Sequence, residues 1–226
     1  MTSNKTSGRY AGALFLIALI PYVIGQMGIL ESILYAPDYL NNIGEKRELL
    51  GLGIILKWIS LTAMIAFAIL VFPILRIGGN RLAIGYLGLR LIEFGMLVMG
   101  SAKLLTLVSF AEKYANNTSS NPEYVEIFAN TLLMEWSRIG FIYMFVFALH
   151  SFAFYYLLLK SHLVLPFIPI AGLVASVLVL ANVMFGVLGL SIGGFYLFAP
   201  IGFVELILGI WLSLFGFRME VEKAIQ

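Results

Sequence analysis

The chain has 226 residues, of which 61% are hydrophobic and only 12% are charged, and its mean hydropathy is +0.99. Soluble domains carry about 25% charged residues, so this composition excludes an ordinary water-soluble domain and predicts helices embedded in lipid. The net charge of +2 gives no support for a nucleic-acid partner, and the lack of cysteine excludes disulfides, thiolate catalysis and cysteine metal sites.

Long apolar runs predict the membrane topology, because a helix needs about 20 apolar residues to cross a bilayer. The first run follows Arg9 and has 21 uncharged residues, more than the apolar core of a signal peptide, which has about 7–15. We therefore interpret it as a span, in which Pro21 and Gly25 predict a kink. We predict an all-α polytopic membrane protein, a bundle of six transmembrane helices in one domain, with spans at residues 10–31, 49–75, 82–110, 131–159, 166–190 and 195–217.

The connections between these spans differ in charge. We predict polar loops at residues 36–48 and 111–130 and short turns elsewhere. The N-terminus, the turn at 76–81, the connection at Lys160 and the C-terminal tail together carry seven Lys or Arg residues, whereas the opposite loops carry three. Cytoplasmic loops are enriched in these residues. We therefore expect a multi-pass protein of the bacterial cytoplasmic membrane, with both termini in the cytoplasm and the lipid bilayer as its partner.

Two spans contain charges that no shift of the helix moves to the interface. Every window of about 20 residues in the third span includes Arg90, Glu93 or both, and Glu205 lies at the centre of the sixth span. Charged groups inside a membrane are costly, usually paired, and by default mark a functional site. These three residues, with Tyr86 and His150 nearby, are therefore the candidate residues for binding a ligand or a proton.

Depth places the two carboxylates at one level. At about 1.5 Å per residue, Glu93 lies roughly 17 Å and Glu205 roughly 18 Å from the cytoplasmic end of its span. Arg90 is one turn from Glu93, so it is the better partner for that carboxylate, and we expect Glu205 to carry a proton at neutral pH. Otherwise a further group would supply the missing positive charge: Lys57, Arg138 or His150.

Further polar residues of the spans are predicted to fall in the outer half of the membrane: Gln26, Lys57, Lys103, Glu135, Arg138 and Asn182. We expect Lys57 to extend to the interface, because 18 uncharged residues follow it. Haem requires axial ligands on facing helices, and the second histidine, His162, is in a predicted loop. Zinc requires more His and Cys ligands than the chain offers. We therefore predict neither a metal nor another cofactor.

Three classes of function remain open. The leading hypothesis is a small protein that binds or transports a small molecule or ion, with Arg90 holding an anionic ligand group and Glu93 or Glu205 carrying a proton. The alternative is a structural or sensory membrane subunit in which the buried ion pairs serve packing. A membrane-embedded enzyme acting on lipid is the weakest hypothesis, because the sequence has no G-x-S-x-G motif and no recognisable nucleophile–base pair. No catalytic residue is predicted.

Four segments resemble a bacterial family of six-helix membrane proteins that is catalogued only as a domain of unknown function. They are the Arg-x-x-Gly opening at 9–12, LAIGYLGLRLIE at 82–93, the turn at 155–173, and the closing pattern at 200–217. The resemblance covers nearly the whole chain, except that the residue after Pro166 is Phe167 where a basic residue is expected. It implies the fold but no reaction, and it includes the three charged residues Arg90, Glu93 and Glu205.

Overall fold

The computed structural model describes residues 4–115, 122–190, 192 and 194–218, and all regular secondary structure in these residues is helical. Six helices are long and apolar enough to cross a membrane, which confirms the prediction of an all-α protein with six spans. The observed candidate spans are Lys5–Leu34, Arg47–Leu75, Asn80–Tyr114, Glu123–Lys160, Phe167–Val187 and Phe195–Phe215.

The first span contains three consecutive helical segments. Two residues after Pro21, the chain changes from α-helix to a π-helical segment at Val23–Leu30, which includes Gly25. An irregularity was expected at these two residues, and the structure gives it the form of a change in helix type. The helices of the described chain are α1 (Asn4–Tyr22), α2 (Glu31–Leu34), α3 (Tyr39–Glu45), α4 (Arg47–Leu75), α5 (Asn80–Ala115), α6 (Pro122–Lys160), α7 (Phe167–Val187) and α8 (Phe195–Phe215).

The prediction of a long loop at residues 111–130 is wrong, because α5 continues to Ala115 and α6 already begins at Pro122. Residues 116–121 lie outside the described part of the chain. A polar composition indicates that this stretch lies in water, but it does not exclude a helix. Water solvates charged side chains on a helix as well as on a loop. One such charge, Glu112, lies 2.8 Å from Arg47 in an ion pair.

The polar loop predicted at residues 36–48 contains the short helix α3, which is a second correction. Asp38 precedes this helix in the left-handed region, with φ 58°. Leu40 and Ile43 are three residues apart, so they share one side of the helix, and both are buried. Two apolar residues in a polar stretch are too weak a pattern to identify a helix from sequence.

The chain divides into two compact units. Unit 1 comprises Met1–Leu19, Ala63–Glu93 and Tyr143–Gln226, and unit 2 comprises Ile20–Thr62 and Phe94–Ile142. The prediction of a single transmembrane domain stays a prediction.

Small residues determine the packing within unit 1. A Cβ atom added to Gly12 would overlap the backbone of Ser213, and one added to Gly8 would overlap the backbone of Phe217. Helices in membranes commonly approach one another through such small residues. Gly172 gives room in the same way to the ring of Tyr155, so the position of this buried tyrosine depends on the glycine.

Unit 2 has an apolar core of its own. Buried residues from the first four spans and α3 form it, among them Leu34, Ile43, Ile54, Leu104 and Trp136. This core includes Leu40 and Ile43 of α3, which lie in the stretch predicted to be a polar loop.

Candidate functional site

Unit 1 brings together the five residues predicted to bind a ligand or proton. Tyr86, Arg90 and Glu93 come from α5, His150 from α6 and Glu205 from α8. Their exposed fractions lie between 0% and 7%. We call these five residues the central cluster.

The three residues from α5 share one helix face. Tyr86, Arg90 and Glu93 are separated by four and three residues, which is the spacing of neighbours along an α-helix. Arg90 donates a hydrogen bond from Nη1 to Oε2 of Glu93 over 2.8 Å. Its guanidinium carbon also lies 5.7 Å from the centre of the Tyr86 ring. The positive charge of Arg90 is thus compensated within its own helix.

His150 reaches the same carboxylate from α6. Its Nε2 atom lies 3.0 Å from Oε2 of Glu93, although the two atoms do not have the geometry of a hydrogen bond. The imidazole packs edge-on against the rings of Phe147 and Tyr86, at centroid distances of 5.2 and 6.2 Å. Glu93 is therefore the common contact of Arg90 and His150.

Glu205 is the carboxylate without a direct partner. It is 7% exposed, and within the described part of the chain it makes no hydrogen bond or ion pair. It interacts electrostatically with Arg90 and Glu93. Since Glu93 already occupies the guanidinium of Arg90, the central cluster holds one more carboxylate than it holds directly paired cations.

Unpaired polar atoms are concentrated at this place. Seven buried side-chain nitrogen or oxygen atoms of the described residues lack a hydrogen bond, and five of them belong to Tyr86, Arg90, His150 and Tyr155. Buried polar atoms are nearly always hydrogen bonded, and each one left unpaired costs about 1–3 kcal/mol. One of the five, Nε2 of His150, contacts Glu93, and the other four around one ion pair indicate a place suited to bound water or a small polar ligand.

Tyr155 is the member of this site that the sequence analysis missed. It is 1% exposed and interacts electrostatically with Glu205 and Arg90. A tyrosine five residues after His150 has no spacing that relates it to the charged residues, so its place at this site could not be recognised from the sequence. A Cβ on Gly172 would overlap its ring, and this contact across two helices is not recognisable without a structure.

Aromatic rings enclose the polar atoms. Phe154 stacks on Tyr86 with a centroid distance of 5.4 Å, and it contacts the rings of Phe67 and Tyr155 at 5.7 and 5.3 Å. The surroundings of the central cluster are thus largely apolar, which strengthens every electrostatic interaction inside it.

The residues predicted for the outer half of the membrane do not form one site. Lys57 is 2% exposed and donates to Oε1 of Gln26 over 2.9 Å, both within unit 2. The expectation that Lys57 extends to the interface is therefore wrong, because a neighbouring amide in the protein replaces water as its acceptor. Glu135 pairs with Lys103 at 2.6 Å on the surface. Arg138 is exposed and Asn182 half-buried, and neither bonds to another described residue.

No group of three or more His, Cys, Asp or Glu residues that could hold a metal ion occurs among the described residues.

Comparison with known protein families gives a match over most of the chain. The sequence profile of the family described as Domain of unknown function (DUF4386) matches residues 10–216. No curated protein and no solved structure matches the chain.

Proposed function

We propose, for a chain that belongs to the DUF4386 family of unknown function, that it binds a small polar molecule or ion inside the membrane, at the central cluster. The observation that carries this proposal is the group of four buried polar atoms that lack a hydrogen bond around the Arg90–Glu93 pair, contributed by Tyr86, Arg90, His150 and Tyr155. A site whose groups served packing alone would be expected to satisfy these atoms internally.

The charges of the cluster favour a cation or a proton as the bound species. Arg90 and Glu93 compensate one another at 2.8 Å, which leaves the carboxylate of Glu205. An anionic ligand on Arg90 would add a second uncompensated negative charge in apolar surroundings, which is costly. A proton on Glu205, or a cationic ligand beside it, removes the imbalance instead.

The closure of the site favours the smallest of these species. The five residues of the central cluster are at most 7% exposed, so a larger ligand could enter only if the helices of unit 1 separated. A proton needs only a chain of water molecules or hydroxyl groups. Tyr155 offers a hydroxyl that makes no hydrogen bond, and Tyr86 offers one that interacts with Arg90. We therefore place one exchangeable proton on Glu205.

Infrared titration of the purified protein tests this assignment. We expect a band of a protonated carboxyl group at pH 7 that is lost in Glu205→Gln and kept in Glu135→Gln, the matched change in an exposed ion pair. If the wild type lacks the band, both carboxylates of the cluster are ionised and the assignment is wrong.

Proton transport is tested separately, in liposomes that contain a pH-sensitive dye. Wild-type protein should dissipate an imposed pH gradient, Glu205→Gln should not, and Glu135→Gln should behave as wild type. If the wild type shows the infrared band but no proton flux, the protein binds a proton without transporting it.

A structural or sensory subunit is the second candidate, because the cluster is closed to solvent. The Arg90–Glu93 pair itself cannot hold two helices together, since both residues belong to α5. The contact of this ion pair with another helix is made by His150 of α6, whose Nε2 lies 3.0 Å from Glu93. Under this alternative, His150→Phe should lower stability as much as Arg90→Ala does. The liposomes should then show no proton flux with the wild type, with Glu205→Gln or at any pH tested.

A further inference from the structure

The π-helical segment Val23–Leu30 interrupts the first span within unit 2. It begins two residues after Pro21, which has no N–H to donate to the preceding turn. π-Helical turns are rare, are mostly single turns inside α-helices, and are frequent at functional sites. The helix becomes α-helical again at Glu31, so the irregular register is confined to one segment.

Two bonds follow the π-helical register between the same two residues. The backbone N–H of Glu31 donates to the carbonyl of Gln26, and the side-chain amide of Gln26 donates to Oε1 of Glu31 over 3.0 Å. Residues five apart are about 140° apart around an α-helix. The hydrogen-bond spacing of the π-helix brings them to the same face, so the side-chain bond depends on this register.

Lys57 binds the oxygen of the Gln26 side-chain amide. Its Nζ donates to Oε1 of Gln26 over 2.9 Å, and it lies 5.6 Å from the centre of the Trp136 ring. The side chain is 2% exposed. An ammonium group buried to this degree needs a partner, so Gln26 satisfies Lys57 and Glu31 at once.

Glycines make the fit of the segment dependent on its register. A Cβ on Gly25 would lie 2.8 Å from the carbonyl oxygen of Gly53 on α4, and one on Gly53 would lie 3.0 Å from Ile29. If the segment changed to the α-helical register, it would rotate and bring a larger residue to this contact. The close contact of Gly25 with Gly53 and the hydrogen bonds of Gln26 therefore both favour the π-helical register.

From these observations we propose that residues 23–30 are a hinge of the first span, and that the chain Lys57–Gln26–Glu31 is the latch that holds it in its π-helical register. Opening the latch returns the segment to the α-helical register and changes the direction of the span. This hinge lies in unit 2 and does not depend on the function proposed for the central cluster.

Hydrogen–deuterium exchange of the protein in detergent tests the latch. In Lys57→Met, exchange at the backbone amides of residues 23–30 should rise about tenfold or more, because one charged hydrogen bond is lost. Exchange in α7 and α8 should stay as in the wild type. Lys103→Met is the matched control, since Lys103 belongs to an exposed ion pair in the same unit.

Gln26→Leu should reproduce the effect of Lys57→Met, and the double variant should exchange no faster than either single one, because residues of one network are not additive. Unchanged exchange at residues 23–30 in Lys57→Met would overturn the proposal. So would an equal rise in Lys103→Met, or a rise that extends over the whole chain.

Discussion

Arg90 and Glu93 form a buried ion pair one turn apart on the same helix, with Nη1 of Arg90 2.8 Å from Oε2 of Glu93. Glu205 comes from another helix and forms no ion pair within the described part of the chain. The two carboxylates of the central cluster are therefore not equivalent. Glu93 has Arg90 as a direct partner, whereas Glu205 interacts with Arg90 electrostatically but forms no ion pair with it.

Arg90→Ala should consequently destabilise the protein more than Glu205→Gln. Loss of Arg90 leaves Glu93 as an uncompensated buried charge, which costs about 3–5 kcal/mol, whereas Glu205→Gln keeps the shape of the side chain. Melting and monodispersity in detergent measure the difference, with Glu135→Gln as an exposed control. Equal melting of the two cluster variants would mean that the pair contributes little to folding.

Gly12→Ala should weaken the packing of α1 on α8. The added Cβ would overlap the backbone of Ser213, and overpacking of this kind costs about 1–3 kcal/mol. Gly51→Ala is the matched control, because a Cβ there meets nothing within 4 Å and alanine favours a helix over glycine. The control should melt no lower than the wild type, and a similar loss in both variants would contradict the proposed contact.

The stability of the folded protein should depend on pH in the alkaline range because of Tyr39. Burial, with a further contribution from Glu126, raises the pKa of Tyr39 to about 12, and its hydroxyl donates to Asn130 over 2.8 Å. The unfolded chain has a tyrosine pKa of about 10. The contribution of Tyr39 to stability is therefore complete below pH 10 and is lost as the pH rises towards 12.

Spectrophotometric titration checks this value. The tyrosinate absorbance of the wild type minus that of Tyr39→Phe should give a single curve with its midpoint near pH 12. A midpoint near pH 10 would show that this hydroxyl is as accessible to solvent as a free tyrosine.

The orientation in the membrane is a prediction from charge. Seven Lys or Arg residues on one side against three on the other predict that both termini lie in the cytoplasm. A reporter that is active only in the cytoplasm should work when fused to the C-terminus and fail when inserted after Asn117, which lies outside the described residues. Activity at Asn117 would reverse the assignment of sides.

The sequence is sufficient for those features that depend on local composition. Six apolar runs predict six spans because lipid accepts little else, and spacing alone places Tyr86, Arg90 and Glu93 on one face. The charges also had to meet inside the protein, since lipid cannot solvate them.

Features that depend on contacts between distant helices could not be predicted. Tyr155 joins the site through the space left by Gly172, and Lys57 is satisfied by Gln26, 31 residues away. The π-helical register of Val23–Leu30 also has no pattern in the sequence, because it depends on how Gly25 fits against Gly53.

Helix length has a consequence for the bilayer that this protein requires. The helices α7 and α8 have 21 residues each, or about 32 Å, which matches a hydrocarbon thickness of about 30 Å. The helices α5 and α6 have 36 and 39 residues, or about 54 and 58 Å, and tilts of up to about 40° cannot absorb that excess. Both must therefore project into water, so α7 and α8 set the membrane thickness to which the protein is matched.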